Sequence, residues 1–368
     1  MLQRTKYSIG VIVVILLGLG LWYGLDRRAQ SVELVENKVK IGVILPLTGD
    51  LAVTGEKIYQ GFQLAQATLP KNIEFVVEDS HSKPTDAVTA ASKLLNVDGV
   101  SVIMGTYNPD ETLAVAPLAR EKGVPVFSFS FCSDSFQKEE NVFCAYPNAN
   151  EQLKTVIPTI QKNNVKTIAL LNSNSDFGMS SRDGMKRLAS EGGYQIVFDE
   201  LVSPNQKEFR TVLAKLLATK PEGVFMAADS PTQALTMAKE LHEFGYQGMR
   251  ITFIDVDNKN LEAFGSTVEG TLAPGIAPSQ FSSAFAQAYQ EKFHKDPDYT
   301  SALGYDVSRL LSGTLASHDW SANDLKQNVV NQNYLDPAIA NFHFLSDRTV
   351  VYQLELQMVK NGKYVRAE

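Results

Sequence analysis

The 368-residue sequence predicts an α/β protein built as two doubly wound parallel-sheet lobes. Three observations carry that reading. The chain exceeds the roughly 250–300 residues at which one hydrophobic core stops growing, so it can bury two. Short β-branched apolar runs alternate with helically spaced segments across short joints, the pattern of βαβ units and of a parallel sheet covered by helices on both faces. The alternation comes as two series, parted by the turn-rich stretch FCAYPNANE, a candidate hinge.

In the first series, VKIGVIL is an apolar β-branched run stopped by Pro46 and Gly49, as a buried strand entering a loop would be. Ile58, Phe62, Leu64, Ala65 and Leu69 then recur at helical spacing between Lys57 and Leu69, and IEFVVE supplies the next strand. A helix from Thr85 to Asn96, a strand VSVIMG, a helix from Asp110 to Lys122 and a strand VPVFSFS follow. The second series opens with a helix from Asn150 to Asn163 and strand VKTIALL, then a helix from Met179 to Glu191 and strand YQIVFDE. A helix from Glu208 to Thr219, strand GVFMAA, a helix from Pro231 to Phe244 and strand RITFI complete it. GTLAPGIAPS breaks the pattern, Phe281 to Phe293 and Ala302 to Leu315 read as helices, and VVYQLELQMVKNGKYV reads as a β-hairpin about Asn361-Gly362.

The first thirty residues differ. Ile9 to Leu25 is an uncharged apolar run, preceded by Arg4 and Lys6 and followed by Arg27 and Arg28. Its 17 residues exceed the usual secretory h-region of about 7–15 and reach the lower limit of a membrane-spanning helix. An N-terminal apolar helix retained as a membrane anchor is the expectation; the rival is a signal peptide cleaved near Ala29 and Ser31. A lipoprotein is excluded because no Cys follows the run. Either way the remainder is expected outside the cytoplasm, in the periplasm or at the cell surface.

A net charge of −7 offers no basic surface able to release counterions from a phosphate backbone, so nucleic acid is not an expected partner. Cys132 and Cys144 flank the polar stretch SDSFQKEENVF, read as a surface loop. A local disulfide is one reading and two half-buried thiols the other.

Catalytic patterns are wanting. Between Gly49 and Gly55-Glu56-Lys57 lie five residues where a P-loop has four, and Gly-Glu-Lys replaces Gly-Lys-Ser/Thr. No G-x-S-x-G elbow occurs, and the histidines at 81, 242, 294, 318 and 343 lack the short spacing of metal ligands. Asp255 and Asp257 stand beyond the strand RITFI, where no strand alternation fixes their directions, so they need not share a site. No enzyme, cofactor or metal is called for.

Several segments resemble the Leu/Ile/Val-type (type I) periplasmic solute-binding proteins that serve ABC transporters, over nearly everything after residue 38. IGVILPLTGDLAVTGEKIYQGFQLA is similar to that family's opening strand, Pro-Leu-Thr-Gly loop and first helix, and VEDSHSKPTDAVTAASKLL to its acidic strand end and Pro-x-x-Ala helix. REKGVPVFSFS and FHFLSDRTVVYQLELQMVKNGKYV match its Gly-Ile-Pro strand and closing hairpin. The resemblance implies lobes of residues 38–145 with 273–344 and 146–272 with 345–368, joined by three hinge crossings near Ala145, Thr271 and Leu345. Residues 1–37 would be the anchor or signal segment and its linker. Open α/β sheets bind ligands beyond the carboxyl ends of their strands.

Carried over residue by residue, the family's ligand site falls on Thr54, on Thr106, Tyr107 and Asn108, on Ser130 and Cys132, on Phe177, on Asp229 and Ser230, and on Asp255. Asp255 matches the acidic partner of an α-amino group. Pro109 stands where a serine is usual and Cys132 where a threonine is usual, so hydroxyls that hold a ligand carboxylate are lost. Plainer roles exist: Thr54 or Asp229 as a helix N-cap, Phe177 and Tyr107 as covers of apolar surface. The implied activity is extracytoplasmic binding of a small polar solute, an amino acid or amide-like compound, for delivery to an ABC permease. The alternative, prompted by Pro109 and Cys132, is a membrane-anchored sensing or protein-interaction module of the cell envelope without a transport role.

Overall fold

Strand VKIGVIL is buried from Ile41 to Leu45, as its continuous β-branched run requires of a strand covered on both faces. The computed structural model describes residues 38–132, 135–253, 258–276, 280–315, 322–330, 336–339, 342–350 and 352–367. Lys40–Glu368 is one compact unit and Met1–Val39 another; the apolar run 9–25 lies outside the described residues.

The first sheet holds β1 (Val39–Leu45), β2 (Ile73–Asp79), β3 (Val102–Gly105), β4 (Val126–Ser128) and β5 (Val142–Cys144). Their order is β2-β1-β3-β4-β5, with β1, β3, β4 and β5 paired in parallel. Helices α1 (Ala52–Gln66), α2 (Pro84–Lys93) and α3 (Pro109–Glu121) connect them. Strand β5 was not foreseen: it takes the last residues of a stretch read as loop, because three residues are too few for periodicity to show.

Between the sheets, the single helix expected from Asn150 to Asn163 is two, α4 (Ala149–Lys154) and α5 (Ile157–Lys162), with Pro158 at the start of the second. The second sheet holds β6 (Thr167–Ser173), β7 (Gln195–Val202), β8 (Gly223–Ala227), β9 (Met249–Thr252), β10 (Leu272–Ile276), β11 (Leu354–Lys360) and β12 (Lys363–Arg366). Their order is β12-β11-β10-β9-β8-β6-β7; β7 through β10 run parallel, and β11 and β12 are added antiparallel. Helices α6 (Asp176–Gly192), α7 (Arg210–Ala218), α8 (Pro231–Glu243) and α9 (Asn258–Phe264) belong to these crossovers. Along β6 side chains alternate between cores, Ala169 and Leu171 to one face and Ile168 and Leu170 to the other.

LAPGI is a strand where the sequence read a break. Pro274 is tolerated because β9 meets β10 only at Leu272, leaving the proline without a ladder donor to supply on that side. The second sheet therefore extends to Ile276, a few residues past the crossing expected near Thr271. The hairpin turn is as expected, with Asn361 and Gly362 both at positive φ (52° and 69°).

After β10 the chain returns as α10 (Ser283–Phe293), α11 (Tyr299–Leu315) and α12 (Ala322–Val329). Helix α11 lies against α1 so closely that a Cβ on Gly61 would stand 2.1 Å from the Ser301 carbonyl, and one on Gly304 2.3 Å from that of Ile58. These two glycines let the backbones meet. Asp306, buried in α11, accepts hydrogen bonds from the Ala338 and Ile339 N–H groups at 2.6 and 2.9 Å, fixing the segment that leads back to the second sheet.

Candidate functional site

Both parallel sheets share one strand order, β2-β1-β3-β4-β5 and β7-β6-β8-β9-β10, and each reverses its winding beside its first strand. Such a switch point leaves a crevice beyond the strand ends. The crevice at β1 and β3 and the one at β6 and β8 open onto one cleft whose enclosed free space is about 50 Å³. Leu51, Tyr107 and Asn108 line it from the first sheet; Phe177, Ala228 and Asp229 line it from the second.

Aromatic rings from both sheets stand in the wall: Tyr107, Phe131, Tyr146, Phe177 and Phe253. Phe131, just past β4, sets its edge against Phe177 and Phe253 of the other sheet, at centroid distances of 4.8 and 5.2 Å, and is only 5% exposed. Phe177 and Phe253 stack at 5.7 Å. Tyr146 meets Tyr299 ring to ring at 5.5 Å, and the Tyr299 hydroxyl lies 3.2 Å from that of Tyr107. Edge-to-face pairs of this kind lock ring orientation, so the wall is preformed.

Among the described lining residues the charged group is Asp229. Its carboxylate accepts from the hydroxyls of Ser173 and Ser175, the latter at 2.7 Å. Burial still pushes its carboxyl above the usual range, against those two donors. Asp229 is not the cap of α8: Ser230 is, accepting the Gln233 N–H at 3.2 Å. Asp110 is raised as well, first by burial and then by the charge of Asp229, while the Asp176 N–H close by pulls the other way. The Ser135 hydroxyl, donating to Asp176 at 2.8 Å, ties the two sheets together beside the cavity.

Two helix starts beside the cleft each spend one N–H on a side chain of the chain itself. Asn108 caps α3 by accepting the Asp110 N–H at 2.9 Å, and Ser175 caps α6 by accepting the Gly178 N–H at 3.1 Å. Glu111, also in the first turn of α3, accepts from the Ser80 hydroxyl at 2.9 Å, and that bond and the nearby Asn108 N–H partly offset the effect of its burial. Fully buried, it is pushed up to about 7.

Of the residues singled out from sequence, Tyr107, Asn108, Phe177 and Asp229 line the cavity. Thr106 is buried at φ 55° and its hydroxyl is engaged with the Gly105 carbonyl and Thr112. Thr54 sits in the first turn of α1, which has no side-chain cap, and Leu51 takes the place in the wall. Ser130 is enclosed, its hydroxyl without a hydrogen-bond partner, and Ser230 serves as a cap. Cys132 and Cys144 lie within bonding distance, their Cα atoms 5.8 Å apart. Asp255 lies outside the described residues. Sequence reasoning missed Phe131, Tyr146 and Phe253, although each stands just past a strand end. Among the described residues no group of three or more His, Cys, Asp or Glu could hold a metal.

Residues 38–363 match the sequence profile of the periplasmic binding proteins. The chain belongs to the periplasmic binding protein family. That makes it an extracytoplasmic binding protein rather than an enzyme. A Leu/Ile/Val-binding protein homologue of Brucella melitensis is 24% identical over 64% of this chain and 66% of its own length. BraC3 of Rhizobium johnstonii, a Leu/Ile/Val-binding protein, is 24% identical over 69% and 72%. The fold superposes on the leucine-binding protein LivK of Thermotoga maritima with a TM-score of 0.81 at 22% identity, covering 90% of this chain and 98% of that one. A Rhodopseudomonas palustris solute-binding protein in complex with 4-hydroxybenzoate gives 0.82 at 20% identity, covering 90% and 95%.

Proposed function

We propose that this chain captures a small polar solute between its two lobes and presents the closed form to an ABC permease. The observation that carries this is the single cavity shared by two facing switch points, walled by rings from both sheets. The names of the relatives support it, since the curated ones are Leu/Ile/Val-binding proteins and a solved neighbour from Streptococcus pneumoniae holds isoleucine. The lobes run as 38–145 with 277–344 and 146–276 with 345–368, the second crossing moving from the expected Thr271 to past Ile276 so that β10 stays whole. Residues 9–25 anchor the protein to the cytoplasmic membrane, and Cys132 and Cys144 form a disulfide. Closure works as a hinge because a ligand touching both walls stabilises the closed state alone.

A thermal-shift screen of the purified full chain against amino acids, their amides and amines, and aromatic acids tests the proposal. A ligand at a hundred times its Kd adds about 2.7 kcal/mol of stability, enough to read as a raised Tm. One chemical class should raise it; a flat response to the whole panel would remove solute capture.

A further inference from the structure

We infer that the solute is an organic cation with an apolar body, an aryl- or alkylamine or its N-methylated ammonium, held by Asp229 and by the rings of Phe131, Phe177 and Phe253. This rests on the reading of the cleft as a solute site and narrows it to a ligand without a carboxylate.

The first argument is the fate of the donors. A ligand carboxylate needs N–H or O–H groups, and helix starts facing a cleft are the ready source. Here a share of that supply is spent, one N–H at each cap. Asn108 accepts the Asp110 N–H, Ser175 that of Gly178 and Ser230 that of Gln233. Gln233 in turn accepts the Asp229 N–H at 3.2 Å. Pro109, in the wall at the first position of α3, has no N–H to give. The Ser130 N–H donates to the Ser128 hydroxyl at 3.0 Å.

Charge is the second argument. Among the described residues the lining contains Asp229 and no lysine or arginine, and Asp110 and Asp176 stand immediately behind it. A carboxylate ligand would add to this negative field in a partly desolvated place, whereas an ammonium would cancel it. Each Asp229 oxygen takes one serine hydroxyl, and a carboxylate oxygen has two acceptor sites. Asp229 therefore keeps acceptor capacity for an ammonium. Burial holds its carboxyl up, which a bound cation would reverse.

The rings supply the third. Phe177 and Phe253 stack and Phe131 closes on them edgewise, giving an apolar wall that receives a hydrocarbon or aryl body, and ring faces attract cations. An inorganic cation would leave that wall unused.

Isothermal titration of the full chain with phenethylamine and benzyltrimethylammonium, beside leucine, isoleucine and 4-hydroxybenzoate, tests the inference. The amines should bind at one per chain and at least tenfold more tightly than the three carboxylates. Asp229→Asn, which keeps the side chain's shape, should weaken the amines at least tenfold while the melting curve of the free protein stays cooperative. Phe177→Leu should weaken them by a smaller factor. Binding of leucine or 4-hydroxybenzoate in preference to the amines would overturn the cation and leave solute capture standing. Amine binding untouched by Asp229→Asn would overturn the assigned partner, and silence from all five probes and from the wider screen would remove both readings.

Discussion

Replacing Glu111 by Gln should change how the protein's stability depends on pH, by an amount set by the burial of that side chain. The Glu111 carboxyl is wholly enclosed, one oxygen accepting from Ser80 at 2.9 Å and the other without a partner. Burial raises it from its ordinary 4.5 to about 7, with the charges of Asp79 and Asp110 adding to the rise. The folded state thus binds a proton that the unfolded chain releases, and at 1.36 kcal/mol per pH unit this is worth about 3 kcal/mol. The contribution is fully present below pH 4.5 and is lost as pH rises to about 7. Gln cannot titrate, and its side-chain oxygen can still accept from the Ser80 hydroxyl. Urea unfolding of both proteins at several pH values isolates the effect as the difference in free energy, variant minus wild type. That difference should rise by about 3 kcal/mol between pH 4.5 and pH 8. A difference that stays flat across the range would show that Glu111 titrates as if exposed, and the argument from its burial would be wrong.

Three further changes probe separate parts of the fold. Gly304→Ala puts a Cβ 2.3 Å from the Ile58 carbonyl, so it should cost about 2–4 kcal/mol despite alanine's better helix propensity; stabilisation in urea unfolding would mean that α1 and α11 are not so close. Phe131→Ala empties a site that ties the first sheet's loop to the core of the second, and should lower stability by about 3–5 kcal/mol in the same assay; a loss under 1 kcal/mol would deny that bridge. The disulfide proposed for Cys132 and Cys144 closes a loop with a sequence separation of 12, worth about 3 kcal/mol on chain entropy. Intact mass spectrometry after alkylation should add no label without reductant and two labels with it, and two labels without reductant would refute the bond.

The two-series pattern was legible because buried parallel strands must be nearly all apolar, and VKIGVIL, VKTIALL and GVFMAA stand out against the helices between them. Strand β10 was hidden by Pro274 and Gly275, which a strand paired mainly on one side can carry. At the site, Asp229 was legible as a polar residue at a strand end, but its competition with Ser230 for the cap of α8 is settled only by which side chain reaches the Gln233 N–H. Phe131 and Phe253 read as core because they are core; that their rings meet across the two sheets is a property of how the sheets face, which no local pattern records. Asp110 lay unnoticed in a first helical turn, where an acidic residue is ordinary, and gains its meaning only from Asp176 and Asp229 opposite.

Ala228 lies in the wall immediately after β8 and is fully buried, so Ala228→Phe places a ring in the space a solute would occupy. Titrating wild type and variant with the solute that gives the largest thermal shift tests cleft capture most directly. The account predicts one solute per wild-type chain and at least a hundredfold loss in a variant that still unfolds cooperatively. Equal affinity in the two proteins would contradict it, because the solute would then bind somewhere other than between the lobes.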